Sequence, residues 1–581
     1  MAHRFSRRFH VRREGQKECI EEVRSLMKEF VQNSRRGLAH TWWMVLVLLV
    51  LLTACAVEES NEPVESDEAV ESAPVESDEA VESAPVESDE AVESAPVESD
   101  EAVELAPSDS DEVVEPKPSE SDEAVEPAPS ERGDWQLPGL VDRSGAPIEV
   151  PTPGPAMGRT LDVTDFGANP DPDSDDDAAA IRAALDAAEP GDEVLLPAGT
   201  YDLRSTDADD ESANIVLSSG VDLRGEGQER TVLLTSFDGE EDSRVIRGSG
   251  VQDVIITDFT ITSRHEGSLG DDPDDSDAGG GPMYGIHLGA NEGQASSRVL
   301  VENLGIRKFE RHGISVKASR EVTLSENYIS EATAVGPGGQ GYGIAIEGSA
   351  DQHDPNASND SRHNVVIGNT FDGKHLRHAI LLQFPTHNNL VAENTIVGSH
   401  LDAIDLHGEG EYLNEVRDNT VVGGQRAGIA LGNSGGSKNK HDASGPGNWV
   451  HSNDLIGNRQ GVLVILGTPD TLIEDNRITA GEDSKVGIEV RNGPGTELHG
   501  NHITGGTDGF WAIRLKEDSG TDGRGTGMPS GIRIEANVIR QSANGIRVDA
   551  GEELSIVENI VDGIDGSKLR VADGINGVKV E

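Results

Sequence analysis

A short apolar motif recurs through residues 285–546 and leaves few folds open to this chain. Gly or Ala is followed by Ile or Val at 285–286, 313–314, 343–344, 379–380, 403–404, 428–429, 461–462, 487–488, 512–513 and 545–546. Successive motifs lie 28, 30, 36, 24, 25, 33, 26, 25 and 33 positions apart. A base period near 24 with occasional additions marks a solenoid whose insertions are loops. A phase-locked series follows each motif: Asn303, Asn327, Asn369, Asn394, Asn419, Asn453, Asn476, Asn501, Asn537 and Asn559. Asparagine suits a corner in left-handed backbone geometry, and stacked amides can bond into ladders. Each coil advances by one strand spacing, about 4.8 Å. Ten or more coils then make an all-β rod of roughly 50 Å. Aromatics at 3% and 67 glycines suit such a stack better than a conventional core.

The N-terminus reads separately. Trp42 to Leu52 is an apolar run behind Arg35 and Arg36. It is short against the roughly 20 residues of a membrane span and normal for a signal-peptide core. It ends in Leu52-Thr53-Ala54-Cys55, which resembles the bacterial lipobox. That resemblance implies a signal peptide over 1–54, with Met27 an alternative start. It also implies lipidation of Cys55 and an exported protein anchored to a bacterial membrane. Only Cys19 and Cys55 are present, so the mature chain is expected to lack an internal disulfide. Residues 55–132 repeat VESDEAVESAP with prolines at 63, 74, 85, 96, 107, 118 and 129. Such a segment buries too little surface to order itself and reads as an extended acidic stalk. Of the net −60, the leader carries +5 and the stalk −26, leaving about −39 on residues 133–581. That balance excludes nucleic acid as a partner.

Residues 133–158 read as a Pro-rich linker and 159–581 as the folded domain. In the latter, Asp175 to Asp177 favour a helix start. Ile181, Leu185 and Ala188 share a helical face, and Pro190-Gly191 ends the helix. The run DFGA at 165–168, then AAIRAALDAA and LLPAGTY, resembles the N-terminal cap of the pectate-lyase-type superfamily. The resemblance implies a right-handed parallel β-helix with a short N-terminal capping helix. It leaves the reaction open, because lyases, hydrolases, epimerases and phage tailspikes share the fold.

Strand alternation separates inward from outward side chains in each motif. Down the stack the outward residues are Tyr284 and His287; His312, Ser315 and Lys317; Tyr342, Ala345 and Glu347; His378, Leu381 and Gln383; Asp402, Asp405 and His407. The next two coils present only Ala427, Ala430, Gly432, Gln460, Leu463 and Ile465. The polar stripe therefore stops after the fifth of these coils. Asp402-Ala403-Ile404-Asp405-Leu406-His407 is similar to the Tyr-Gly-Phe-Asp-Pro-His motif of alginate C5-epimerases. That similarity implies roles for Asp405 near a substrate carboxylate and His407 in proton transfer at C5. Asp402 replaces the family's Tyr and Leu406 its Pro, so Tyr342 or His378 is the candidate second acid–base group.

The implied chemistry is abstraction of the C5 proton of a uronosyl residue in an acidic polysaccharide, leading to a lyase or an epimerase. Histidine titrates near neutrality and suits the base. His312, Lys317, Glu347, Arg377, Gln383 and Lys440 are the candidate substrate contacts. Two other readings stand beside this one. Asp402, Asp405, Glu409 and Glu411 could serve a glycoside hydrolase with paired carboxylates, and the rod could be a non-catalytic carbohydrate-binding or adhesive module. Ca²⁺ is the one cofactor the sequence suggests, through Asp271, Asp274, Asp275 and Asp277 beside a glycine run. The chain is expected to act as a monomer.

Overall fold

The computed structural model describes residues 138–581, apart from 142–145, 172–175, 209, 211, 241, 276–278, 290–294, 349–360, 385, 409, 433–442, 521–524 and 576. The signal peptide, Cys55, the stalk, Asp277, Glu409 and Lys440 lie outside the described residues. Among those described, no helix is long and apolar enough to cross a membrane.

The architecture is a right-handed parallel β-helix. Three sheets run its length, and every strand-to-strand pairing within them is parallel, from Thr160↔Glu193 at the start to Leu554↔Val578 at the end. The ten recurrences of the motif fall in one sheet of 13 strands, from Ala213–Val216 to Leu569–Val571, here called the front wall. A second wall, also of 13 strands, runs from Gly199–Leu203 to Ile560–Asp562. A third wall runs from Thr160–Asp162 to Val578–Val580. Inward residues of all three walls form one continuous apolar core. The motif's glycine reflects crowding between coils. A Cβ on Gly343 would lie 2.5 Å from the Ala379 carbonyl and 2.9 Å from the Phe371 ring.

The helix Ala178–Ala187 closes the N-terminal end and buries Ile181, Ala184 and Leu185 in the core. Asp177 braces it by accepting from Asn169 N and Asp202 N, each at 2.8 Å.

The asparagine series becomes a ladder of buried amides. Side-chain Nδ2 donates to the next Oδ1 from Asn327 through Asn369, Asn394, Asn419, Asn453, Asn476, Asn501 and Asn537 to Asn559, at 2.9–3.0 Å. Two expectations need correcting. The left-handed corner falls one residue earlier, at Glu326, Gly368, Glu393, Asp418, Ser452, Asp475, Gly500, Ala536 and Glu558. Asn303 is itself such a corner (φ 52°) and bonds Asp258, so Leu304 holds the ladder register. A second ladder, Asn364–Asn389–Asn414–Asn448, lines another corner.

The segment read as a linker packs on the rod. Gly139 N donates to Leu413 O at 2.9 Å, and Asn388 Nδ2 donates to Gly139 O at 2.8 Å. Leu140 and Val150 cover Val365, Leu390 and Ala392 on the third wall. At the far end Gly158 N donates to Gly191 O at 2.8 Å.

Candidate active site

The outward residues of the front wall stand in the register that alternation requires. Tyr284, His312, Tyr342 and His378 occupy one row. His287, Ser315, Ala345, Leu381 and Asp405 occupy the next. Lys317, Glu347 and Gln383 form the third. His407 follows Leu406, the partner of Leu382, and so continues the row of Gln383.

This column is a chain of ring contacts. Centroids are 5.2 Å apart for Tyr284–His312, 5.1 Å for His312–Tyr342, 5.3 Å for Tyr342–His378 and 5.8 Å for His378–His407. The polar stripe read from the sequence is largely covered. His312, Tyr342, His378, Asp402 and Asp405 are each at most 5% exposed. Residues 264–275 and 279–283 are tied to the rod nearby: the Gly270 carbonyl lies 2.8 Å from His375 Nδ1, and the Gly280 carbonyl accepts from Thr333 at 2.6 Å.

Asp405 is the hub. Its Oδ2 lies 2.6 Å from His407 Nδ1 and 3.5 Å from His378 Nδ1. His378 Nδ1 is also 2.8 Å from the Asp402 carbonyl, which can only accept. That contact puts the proton on Nδ1 and leaves Nε2 as an acceptor. Likewise the ionised Asp405 fixes the Nδ1–H tautomer of His407. Asp402 Oδ1 accepts from Ala427 N at 3.0 Å and lies 3.2 Å from Arg426 Nε.

Burial decides the protonation of most of these groups. It lowers His378 to about 3, against the opposing pull of Asp405. It holds His312 well below its ordinary value and His287 at about 3. It raises the Tyr342 phenol, which stays protonated. The two aspartates part company. Burial lifts Asp402 to about 6 although Arg426 opposes it. Burial also acts to raise Asp405, but His407 and His378 outweigh it and hold this carboxyl below its usual range.

Other expected contacts find different uses. Arg377 was a candidate substrate cation; its Nη1 instead donates to Pro273 O and Val335 O, both at 2.7 Å, and ties two loops together. Glu347 is buried beside Ser315 and His312. Glu411 is buried and accepts from Gly408 N at 3.0 Å, as a turn brace. Lys317 is half-exposed in the row above Glu347. Among the described residues, Asp271, Asp274 and Asp275 do not form a three-donor cluster that could hold Ca²⁺. The one such cluster is His378, Asp405 and His407, with donor atoms within 4.8 Å of one another. Within it Asp405 Oδ2 and His407 Nδ1 are 2.6 Å apart, so a hydrogen bond between these two accounts for their closeness.

Sequence reading missed Arg426 and Arg311, which carry positive charge to the column. A signal was present: Arg311, Arg377, Arg426, Arg459 and Lys485 each directly precede the first residue of a front-wall strand.

The sequence matches two family models. One, described as rhamnogalacturonase A/epimerase, pectate lyase-like, covers residues 160–346; the other, described as right handed beta helix region, covers 403–581. Both descriptions agree with the right-handed parallel β-helix fold of the chain. No curated protein matches it. Among solved structures it is similar to the A-module of a mannuronan C-5 epimerase of Azotobacter vinelandii, at 19% identity over 72% of this chain and 99% of that one, with TM-score 0.39. It is also similar to the catalytic unit of a thermostable α-1,3-glucanase of Streptomyces thermodiastaticus, at 17% over 75% and 72%, with TM-score 0.47. A third is a surface adhesin of Streptococcus pneumoniae, at 17% over 71% and 99%, with TM-score 0.44.

Proposed function

We propose that this protein acts on a uronic-acid-containing polysaccharide by abstracting the C5 proton, as a lyase or a C5-epimerase. The observation that carries the reading is the Asp405–His407 pair at 2.6 Å, set beside His378 and Tyr342 on one face of the rod. In this reading His407, fixed in one tautomer, takes the proton from C5 through Nε2. Electron density moves into the substrate carboxylate, whose charge the half-exposed Lys317 offsets. The protonated Tyr342 phenol is the acid. If it protonates the departing 4-O group, the C4–O bond breaks and an unsaturated sugar remains. If it returns a proton to the opposite face of C5, the configuration inverts.

One observation favours a second reading. Asp402 raised and Asp405 lowered is the pattern of an acid and a base in a glycoside hydrolase. The first reading is preferred because both carboxylates are committed, Asp402 to Arg426 and Ala427 N, and Asp405 to His407.

Incubation with a panel of uronate polymers separates the cases. Absorbance from unsaturated ends that disappears in His407→Ala means lyase. Solvent deuterium entering C5 without cleavage means epimerase. New reducing ends without the chromophore mean hydrolase and overturn the proposal. Binding with no reaction on any polymer leaves a carbohydrate-binding module and also overturns it. The proposal includes export and anchoring through lipid on Cys55; Cys55→Ser should move the protein from the membrane fraction to the soluble fraction.

A further inference from the structure

The second wall carries a pocket of its own, on a different sheet from the catalytic column. Its outward row runs Val232, Thr260, Gly305, Tyr328 in register. Gly305 brings no side chain, so the row has a notch between Thr260 and Tyr328, which lie two strand spacings, about 10 Å, apart. The notch is enforced by the backbone packing. A Cβ on Gly305 would lie 2.4 Å from Thr260 Oγ1, and that hydroxyl is held by donating to Gln228 O at 2.8 Å. The cavity measures about 360 Å³, within the range of small-ligand sites. Tyr328 at its edge is 43% exposed, the most exposed Phe, Trp or Tyr among the described residues. Such a ring offers a flat apolar face with a polar tip. The charged groups of the lining are uncommitted: no hydrogen bond or ion pair among the described residues engages the side chains of Glu229, Arg307 or Glu331. The column on the front wall differs in this respect, since Arg377, Arg426 and Asp405 all have partners there. Gln228 donates from Nε2 to Asn303 Oδ1 at 3.1 Å, which fixes its amide in the lining.

We propose that this pocket binds a neutral glycan, with the C–H face of one pyranose ring stacked on Tyr328. The sugar hydroxyls then bond the planar carboxylates, amide and guanidinium around the ring, and hydrogen bonds to ionised partners are the strong ones. Charge decides the class of sugar. Two carboxylates, Glu229 and Glu331, stand against the one guanidinium of Arg307. The exposed Asp372 follows Ser330 in register and adds a third negative charge nearby. A uronate is repelled at such a site, whereas an uncharged sugar is not. The pocket is therefore separate from the front-wall column in both place and ligand, and it stands whether or not that column is catalytic. A polysaccharide held at both walls gains avidity without any new contact at either.

The test is affinity electrophoresis of the full-length protein through gels containing dextran, mannan or laminarin, with alginate and polygalacturonate as acidic counterparts. At least one neutral polymer should retard the wild type. Tyr328→Ala should raise the dissociation constant for that polymer about tenfold or more and leave the circular dichroism spectrum unchanged, because the ring is exposed. Tyr328→Phe should keep the binding, since stacking needs the ring and not the hydroxyl. Glu229→Ala with Glu331→Ala, both outside the core, should weaken it as well. His407→Ala should bind the neutral polymer as the wild type does. No retardation by any of the three neutral polymers overturns the proposal. So does retardation that survives both Tyr328→Ala and the double glutamate substitution, or that disappears in His407→Ala.

Discussion

Acid should loosen this rod through its own front wall, and His287 shows how much. Its side chain is 8% exposed, in ring contact with Tyr284 at 5.1 Å, and it faces Arg244, Lys317 and Arg247, with Asp210 the opposing charge. Burial first, and those cations second, hold its pKa at about 3 against the ordinary 6.5. The sign follows from linkage. The unfolded chain takes up a proton as pH falls through 6.5, and the folded chain does not, so stability falls from pH 6.5 toward 3. Between pH 7 and pH 5 the loss from this one residue is about 2 kcal/mol, at about 1.4 kcal/mol per pH unit below 6.5. His312 and His378 shift in the same direction, so the three together should cost several kcal/mol by pH 5. The assay is urea unfolding of the wild type and of His287→Gln at pH 7, 6 and 5. The variant should lose about 2 kcal/mol less than the wild type across that range. Equal losses in the two proteins would refute the burial argument, because general titration of the acidic surface is common to both.

Three further outcomes are expected. Asn419→Ala removes two acceptor contacts made to Asn394 and two donor contacts to Val391 O and Asn453. Two orphaned buried donors at about 1–3 kcal/mol each predict a loss of about 2–6 kcal/mol in urea unfolding, and Asn559→Ala at the ladder's end should cost less. On whichever uronate polymer proves reactive, His407→Ala should lower kcat by about 10²–10⁴. Asp405→Asn should lower it with little change in KM, since its amide would hold the wrong tautomer. Arg377→Ala should cost about 1–3 kcal/mol and speed proteolysis near Pro273, while a substrate-binding Arg377 would instead raise KM and leave proteolysis unchanged.

The fold was legible because a β-helix repeats its constraints. The Gly/Ala-Ile/Val motif marks the ten front-wall strands from Tyr284–Gly289 to Ile546–Val548, and period-two alternation then names the outward rows. The Asn series was legible as a ladder but misplaced by one residue, because Asn and the corner before it are equally compatible with a polar turn. The second ladder escaped notice because Asn388 and Asn389 are adjacent and only one of them stacks. The site was legible as a list of residues and not as an environment. Nothing in the spacing of Arg377 reveals that Pro273 and Val335 carbonyls will take its guanidinium, since loop insertions carry no register. For the same reason the cover over His378 and Asp405, and with it the divergence of the two aspartates, could not be read from alternation.

Residues 138–141 and 146–158, packed on the rod, bear on how the molecule would take a pull applied ahead of them. Their first hydrogen bonds join Gly139 to Leu413 and Asn388, far along the rod from Gly191, where this segment ends. A solenoid pulled from its terminal coil peels one coil at a time, because each coil is held only by its neighbour. A tug arriving ahead of Pro138 would instead shear several contacts at once, including Leu140 and Val150 against the third wall. The helix cap is thereby shielded from the force, and the coils that carry His378 and His407 lie beside the point of attachment, where the rod is gripped rather than frayed.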